Sequence, residues 1–333
     1  MKQTTIAKKV TSVGIGLHKG EPIRLTIEPS SENTGIIFYR SDLGISFKAE
    51  PKNVVNTQMA TVVGNQKGYI STVEHILSAI NGYGIDNIRI NVDANEIPVM
   101  DGSSISFCMM LDEAGIKNLD ASKKAIIIKR EVEVKEGEKF VRVSPSKSPK
   151  FDYTIKFSNP IIGTQQFAFE FSKKNYVDEI ARARTFGFLK DVQMLRSMNL
   201  ALGGSLENAV VIDDNKILNP DGLRYENEFV RHKILDAIGD LSLLGAPILG
   251  DYTAYAASHD LNHKLTLAIL TDSPNEFSKF DGVVNLRSSP GELTSSVKAP
   301  LVGGSTSKIG ESKRERASQS SKLTPFFFVI YTR

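Results

Sequence analysis

Apolar positions in the first part of the chain alternate before they take up a helical period. PIRLTIEP places Ile23, Leu25 and Ile27 at every second residue, as a half-buried strand requires, and TGIIFYR and MATVVG read the same way. STVEHILSAINGYG then shifts to helical spacing and stops at a glycine-rich turn. NIRINVDANEIPV returns to strand, and SISFCMMLDEAG predicts a short helix ending at Gly115. The polar stretch NLDASKK, residues 118–124, is the best linker candidate. After it the order repeats. AIIIKREVEVKEGEKFVRVSP predicts a hairpin turning at Glu136-Gly137, followed by strands in FDYTIKFSNP and QQFAFEF. YVDEIARART and LKDVQMLRSM predict helices and AVVID a strand. A long helix in ENEFVRHKILDAIGDLSLLG, a strand in DYTAYAAS and a last helix in LNHKLTLAIL complete the pattern. ILSAI at 76–80 and ILDAI at 234–238 differ only at the third position, and each follows a histidine-containing segment at the same place in its half. Together these features predict an α+β unit present twice.

Composition narrows the class. A chain of 333 residues with 41% hydrophobic and 24% charged content is long enough for two domains and ordinary for a globular protein. Its single cysteine, Cys108, excludes an intramolecular disulfide and a cysteine-rich zinc module, and points to a reducing cytoplasm. The N-terminus lacks the apolar run of a signal peptide, and nowhere do 18 apolar residues run together, so no membrane span is expected. The net charge of +3 belongs to the end of the chain. Residues 301–333 hold six basic and two acidic groups, which leaves −1 for the first 300 residues and removes any case for nucleic-acid binding. The stretch 288–333, rich in Ser, Lys and Gly, reads as a disordered or foreign tail.

Candidate chemistry gathers on the helical segments. FVRHKILDAIGD sets His232, Asp236 and Asp240 at intervals of four. Four residues advance about 400° around a helix, so the three groups stack along one side. That pattern fits either a solvated face or part of a metal site. Of the five histidines, His75 stands beside Glu74, and His259 follows a predicted strand. A hydrolytic zinc site needs three N/O ligands, an open position and a carboxylate base that does not bind the metal. His75, His232 and Asp236 can be those ligands, Glu74 the base and His259 an acid. Each has an ordinary alternative. Ser71-Thr-Val-Glu74 fits a capping box, which would give Glu74 a purely structural task. Two histidines and a carboxylate also describe the open site of non-haem Fe(II) oxygenases. His18 and His263 read as solvated or structural.

Longer motifs carry a resemblance. STVEHILSAINGYGIDNI, EIPVMDGSS, ARARTFGF, ALGGSLENAVVIDD and FVRHKILDAIGD, in this order, resemble the UDP-3-O-acyl-N-acetylglucosamine deacetylases over roughly residues 3–275. The resemblance implies a zinc-dependent deacetylase of lipid A biosynthesis, in the cytoplasm of a Gram-negative bacterium. It implies two similar two-layer α/β sandwich domains, at 1–119 and 125–275, packed with the metal between them and each carrying a small insert. The first domain would hold Glu74 and His75, and the second an acyl-passage insert at about 186–215. His75, His232 and Asp236 fall on the family's zinc ligands, Glu74 on its base, and His259 with Asp240 on its catalytic histidine and orienting aspartate. Thr185 falls on the residue that helps hold the oxyanion, and Lys233 on a substrate contact near the phosphates. Phe186, Phe188 and Val192 fall in the acyl passage, with Leu189, Met194, Leu195 and Met198 adding apolar surface. Ala256 departs from the family, in which lysine is frequent at that position.

The expected reaction is hydrolysis of the N-acetyl group, giving acetate and the amine, with one Zn²⁺ per chain and Fe²⁺ as the alternative ion. The expected partner is the acylated UDP-sugar, with no nucleic acid and no membrane span, and a monomer is expected. Two rival readings stand beside it: an Fe(II) oxygenase using the same ligands, and a non-catalytic binder of acylated nucleotide sugars.

Overall fold

The structure, a computed structural model, describes residues 1–271 and the backbone of the strand Glu276–Lys279. The expected tail at 288–333 lies outside the described residues. In chain order the helices are α1 (Glu74–Gly82), α2 (Ile105–Ala114), the single turn α3 (Lys173–Asn175), α4 (Leu189–Ser197), α5 (Glu228–Ser242) and α6 (His259–Thr271).

Two five-stranded sheets dominate, and they share one plan. The first runs, edge to edge, Val10–Ile15, Pro22–Pro29, Ile88–Val92, Ile36–Arg40 and Ile45–Lys48. The second runs Val132–Glu136, Lys139–Ser144, Asp251–Tyr255, Lys150–Lys156 and Thr164–Glu170. In each, the last strand in chain order lies between the second and third, antiparallel to one and parallel to the other. In each half one helix precedes that strand and another follows it. α1 and α2 flank Ile88–Val92, and α5 and α6 flank Asp251–Tyr255. The repeated unit inferred from ILSAI and ILDAI is therefore visible in the topology. The fold is α+β.

Each half also carries an insert before its central helix. The first is a three-stranded sheet of Val54–Asn56, Val62–Asn65 and Gly68–Ile70. The second combines α4 with a small sheet of Phe186–Phe188, Val210–Asp213 and Lys216–Ile217.

Three local expectations are corrected. Residues 118–124 are not a loose linker: Ile116–Ser122 pairs antiparallel with Lys2–Ile6, and Lys124–Ile127 starts another strand. The stretch is polar because this ribbon exposes much of its surface, not because it lacks structure. YVDEIARART does not continue as a helix. After α3 the chain makes one π-helical turn, Tyr176–Ile180, and then extends, because Arg184 is drawn to Glu228 of α5. Nor does Glu74 close a capping box: residue Val73 caps α1 without a side-chain hydrogen bond, and Ser71 bridges Glu96.

The central helices are buried on nearly every side. Residues 74–80 of α1 are all buried, as is every residue of α5 except Arg231. Such helices should be apolar all round, yet these two carry Glu74, His75, His232, Lys233, Asp236 and Asp240 into the interior. Groups of this kind are stable there only when paired or bound. α1 and α5 approach closely at Gly239, where an added Cβ would lie 2.0 Å from the Glu74 carbonyl oxygen. Gly239→Ala should therefore force the helices apart and cost about 3 kcal/mol, the upper range for an overpacked core, read by chemical denaturation. Near-parental stability would mean that the crossing tolerates a wider spacing.

Candidate active site

The N-terminal turn of α1 meets the middle of α5, and their polar residues converge there. His75 Nε2 is 3.5 Å and His232 Nε2 3.4 Å from Asp236 Oδ1. The two imidazoles stand edge to face with ring centres 5.0 Å apart. The donor atoms of this triad lie within 4.8 Å of one another, and all three residues are buried. Asp236 Oδ2 accepts a hydrogen bond from Lys233 Nζ at 2.7 Å, whereas Oδ1, between the imidazoles, accepts none. A buried carboxylate oxygen without a donor is costly. Two imidazole nitrogens and one carboxylate oxygen form a donor set that a divalent cation would satisfy. The residues present therefore fit a metal.

Electrostatics sort the imidazoles. Burial, with Lys233 and His75 nearby, pushes the His232 pKa down to about 4 and keeps the ring neutral, as a ligand must be. Its Nδ1–H donates to the Ala183 carbonyl at 3.0 Å, which turns Nε2 toward Asp236. Arg184, next in the chain, is held by Glu228 at 2.9 Å, and the Glu228 side chain is fully buried. This ion pair fixes the segment that supplies the Ala183 carbonyl. For His75, burial opposes protonation, but Asp236 and Glu74 outweigh it and raise the pKa. Burial likewise opposes ionisation of Asp236, yet His232 and Lys233 hold its pKa well below the ordinary carboxylate value.

Glu74 and His259 border the same space. Burial raises the Glu74 pKa, with His259 and His75 acting against that rise. Its Oε2 accepts from the Thr61 amide at 3.0 Å. His259 opens α6, and its Nδ1–H donates to Asp240 Oδ2 at 2.8 Å. Burial disfavours the imidazolium, but the Asp240 carboxylate prevails and pushes the pKa up to about 9. Asn262 donates to the same oxygen at 2.8 Å, and the Thr61 hydroxyl donates to Asp240 Oδ1 at 2.6 Å.

A cavity of about 320 Å³ runs from these groups into the second insert. Thr185, Phe186, Leu189, Val192 and Leu195 lie along it, as do Lys233 and His259. Thr185 is positioned through its backbone: its N–H donates to Gly102 and its carbonyl accepts from Val210, each at 2.8 Å. Gly102 has φ +79° and lies against Asn208, so a side chain would not fit there. Phe186 packs edge-on to Phe229 and His232. Phe188, expected in the passage, packs instead against Phe157. Met194 and Met198 are exposed. The helical period explains this, since residues 189, 192 and 195 share a face that 194 and 198 do not. The far wall comes from the first half, whose loop accepts hydrogen bonds from the Leu202 and Gly203 amides at His18 and Leu17. His18, expected to be solvated or structural, thus stands at the cavity, while His263 sits half-buried on α6.

Residues 3–271 match the profile of the UDP-3-O-acyl N-acetylglycosamine deacetylases. The chain belongs to this family. A UDP-3-O-acyl-N-acetylglucosamine deacetylase of Campylobacter hominis is 98% identical over 275 residues, covering 83% of this chain and 94% of that protein. The enzyme of that name from Campylobacter fetus subsp. fetus is 76% identical over the same coverage. The one from Campylobacter jejuni subsp. jejuni is 68% identical over 272 residues, 82% of this chain and 92% of its own length.

Sequence reasoning had assembled the triad, Glu74, His259 and Asp240, and the structure brings these residues together. It had passed over Thr61, Arg184 and Glu228. Arg184 lies in the ARARTFGF motif and Glu228 directly precedes FVRHKILDAIGD, whereas Thr61 gave no signal beyond its place in a strand-like run.

A raised histidine pKa has a defined consequence for stability. The contribution of the His259–Asp240 pair is complete below the ordinary histidine pKa of 6.5 and is lost as pH rises through about 9. Asp240→Asn should abolish that contribution and bring the His259 pKa down toward or below 6.5, as read by NMR titration of the imidazole. A value still near 9 would assign the shift to other groups.

Proposed function

We propose that this chain hydrolyses the N-acetyl group of UDP-3-O-acyl-N-acetylglucosamine, as the names of its relatives describe, and so serves lipid A biosynthesis in the cytoplasm. One observation carries the reading. A buried His75–His232–Asp236 set, with a carboxylate oxygen lacking a donor, stands beside a carboxylate and a charged histidine at the head of an apolar cavity. Zinc suits this mixed nitrogen and oxygen set. When bound, it would polarise the acetamide carbonyl and acidify the attacking water.

The chain's own residues supply the remaining steps. Glu74, its pKa raised by burial, takes the proton from the attacking water. The Thr185 hydroxyl donates to the oxyanion that develops on the former carbonyl oxygen. His259, with Nδ1 committed to Asp240, presents its other ring nitrogen to the leaving amine and donates a proton there. Lys233 offsets the charge of Asp236 and contributes positive potential to the wall facing the substrate's phosphates. Phe186 and Val192 line the passage for the acyl chain. The unit boundaries proposed for the two halves are 1–119 and 125–275, and a monomer is proposed because each chain holds a complete set of these residues.

The rival readings gain nothing. The matched family is a deacetylase family, and the base and ligand positions are intact, which a mere binder does not need. Mass spectrometry of the metal-loaded protein with a UDP-acyl-GlcNAc substrate should detect loss of acetyl. Absence of that product, or oxygen uptake with a 2-oxo acid, would overturn the proposal.

Two predictions test the assigned roles. His75→Ala, His232→Ala and Asp236→Ala should each lower metal content below the roughly one ion per chain expected of a single site, as measured by elemental analysis. Undiminished content in all three would refute the ligand set. Glu74→Gln can still accept from the Thr61 amide but cannot take a proton. It should keep its metal and fold normally, while turnover falls by roughly 10²–10⁴. An active, metal-loaded glutamine variant would remove Glu74 from the chemistry.

A further inference from the structure

Thr61 precedes the strand Val62–Asn65 of the first insert and is 1% exposed. Three of its polar atoms reach the centre of the molecule. Its amide donates to Glu74 Oε2 at 3.0 Å, its carbonyl accepts from the Val73 amide at 3.3 Å, and its hydroxyl donates to Asp240 Oδ1 at 2.6 Å. The hydroxyl must be the donor, because an ionised carboxylate only accepts. One residue thus grips the start of α1, the Glu74 carboxylate and the Asp240 carboxylate of α5.

We propose that Thr61 is a positioning residue that sets the proposed base and the proposed acid relative to each other. This rests on the deacetylase reading above. Asp240 is held by donors from two directions: Thr61 on Oδ1, and His259 and Asn262 on Oδ2. The two donors on Oδ2 come from α6, so they can move together with that helix. The hydroxyl on Oδ1 comes from the insert and fixes how the carboxylate plane is turned. His259 inherits that orientation through its Nδ1–H. Glu74 is fixed by the amide of the same residue, so the distance between base and acid depends on one short piece of backbone. Two residues upstream, Met59 has φ +65°, a left-handed conformation uncommon for methionine, and it lies on the cavity wall. Thr57, earlier in the same loop, donates to Asp260 of α6 at 3.3 Å, which ties this loop directly to the helix that carries His259. The first insert therefore acts on the chemistry through Thr61 and need not touch the substrate with it.

Thr61→Val removes the hydroxyl, keeps the amide and preserves the shape. Thr61→Ser restores the donor. With equal metal content verified in each protein, the valine variant should lose about 10–100-fold in kcat, as small misplacements of catalytic groups do. KM should stay within about twofold, since substrate contacts are untouched. Serine should retain most of the parental kcat. A second readout needs no substrate: the His259 Nδ1 proton resonance should shift or broaden in Thr61→Val and stay in place in Thr61→Ser. If the valine variant does not fold, Thr61→Ala is read in the same way. Parental kcat with an unmoved resonance in the variant lacking the hydroxyl would overturn the proposal, as would an equal loss in Thr61→Ser. If the parental protein released no acetate, the deacetylase reading would fail, and the imidazole resonance would still decide whether Thr61 sets His259.

Discussion

The close crossing of α1 and α5 is the constraint on which the site depends. Gly239 lets the backbone of Glu74 rest against α5, and this contact decides which residues can face one another. His75 at the start of α1 then stands opposite His232 and Asp236 in the middle of α5. No single element could make this set, because a straight helix offers only two stacked ligands along a short span. The site belongs to the interface between the repeated units, and the glycine is the condition of that interface.

Such a crossing buries charge, and the surroundings are arranged to make that tolerable. Three buried carboxylates, Glu74, Asp236 and Asp240, lie near two cations, Lys233 and His259. A divalent ion at the Asp236 oxygen would supply the partner that this oxygen lacks, which couples metal binding to the stability of the crossing. Opposite pKa shifts in neighbouring histidines follow from the same geometry. Burial prevails at His232, which stays neutral, whereas at His259 the hydrogen-bonded Asp240 carboxylate outweighs burial and keeps the ring charged. Groups driven apart in this way commonly mark acid and base tasks.

Much of this was legible in the sequence, because helical period and strand alternation are local properties. The spacing of His232, Asp236 and Asp240 places them on one side of a helix whatever the rest of the fold does. Less legible were features decided by distant partners. The strand Lys2–Ile6 and its mate Ile116–Ser122 are polar, so alternation did not reveal them, and the second was read as a linker. YVDEIARART has helical composition, yet the pull of Glu228 on Arg184 straightens it. Ser71 and Glu74 have capping-box spacing, but sheet pairing takes the serine and the Thr61 amide takes the glutamate. Thr61 could not be found from its neighbours, since its role is set by contacts 13 and 179 residues away.

The repeat also explains how one architecture yields an asymmetric site. ILSAI and ILDAI align Ser78 of α1 with Asp236 of α5, and both side chains are buried. Ser78 is hydrogen-bonded to the Tyr176 hydroxyl at 3.0 Å, a neutral pair. Asp236 has instead a lysine on one oxygen and an oxygen with no donor between two imidazoles. A serine there could be satisfied by one partner. A carboxylate could not, and the second oxygen calls for a cation. The same alignment sets His75 opposite Lys233 and Glu74 opposite His232, so the repeat delivers different polar groups to one crossing, and Asp236, not Ser78, is the member that can share a metal with His75 and His232.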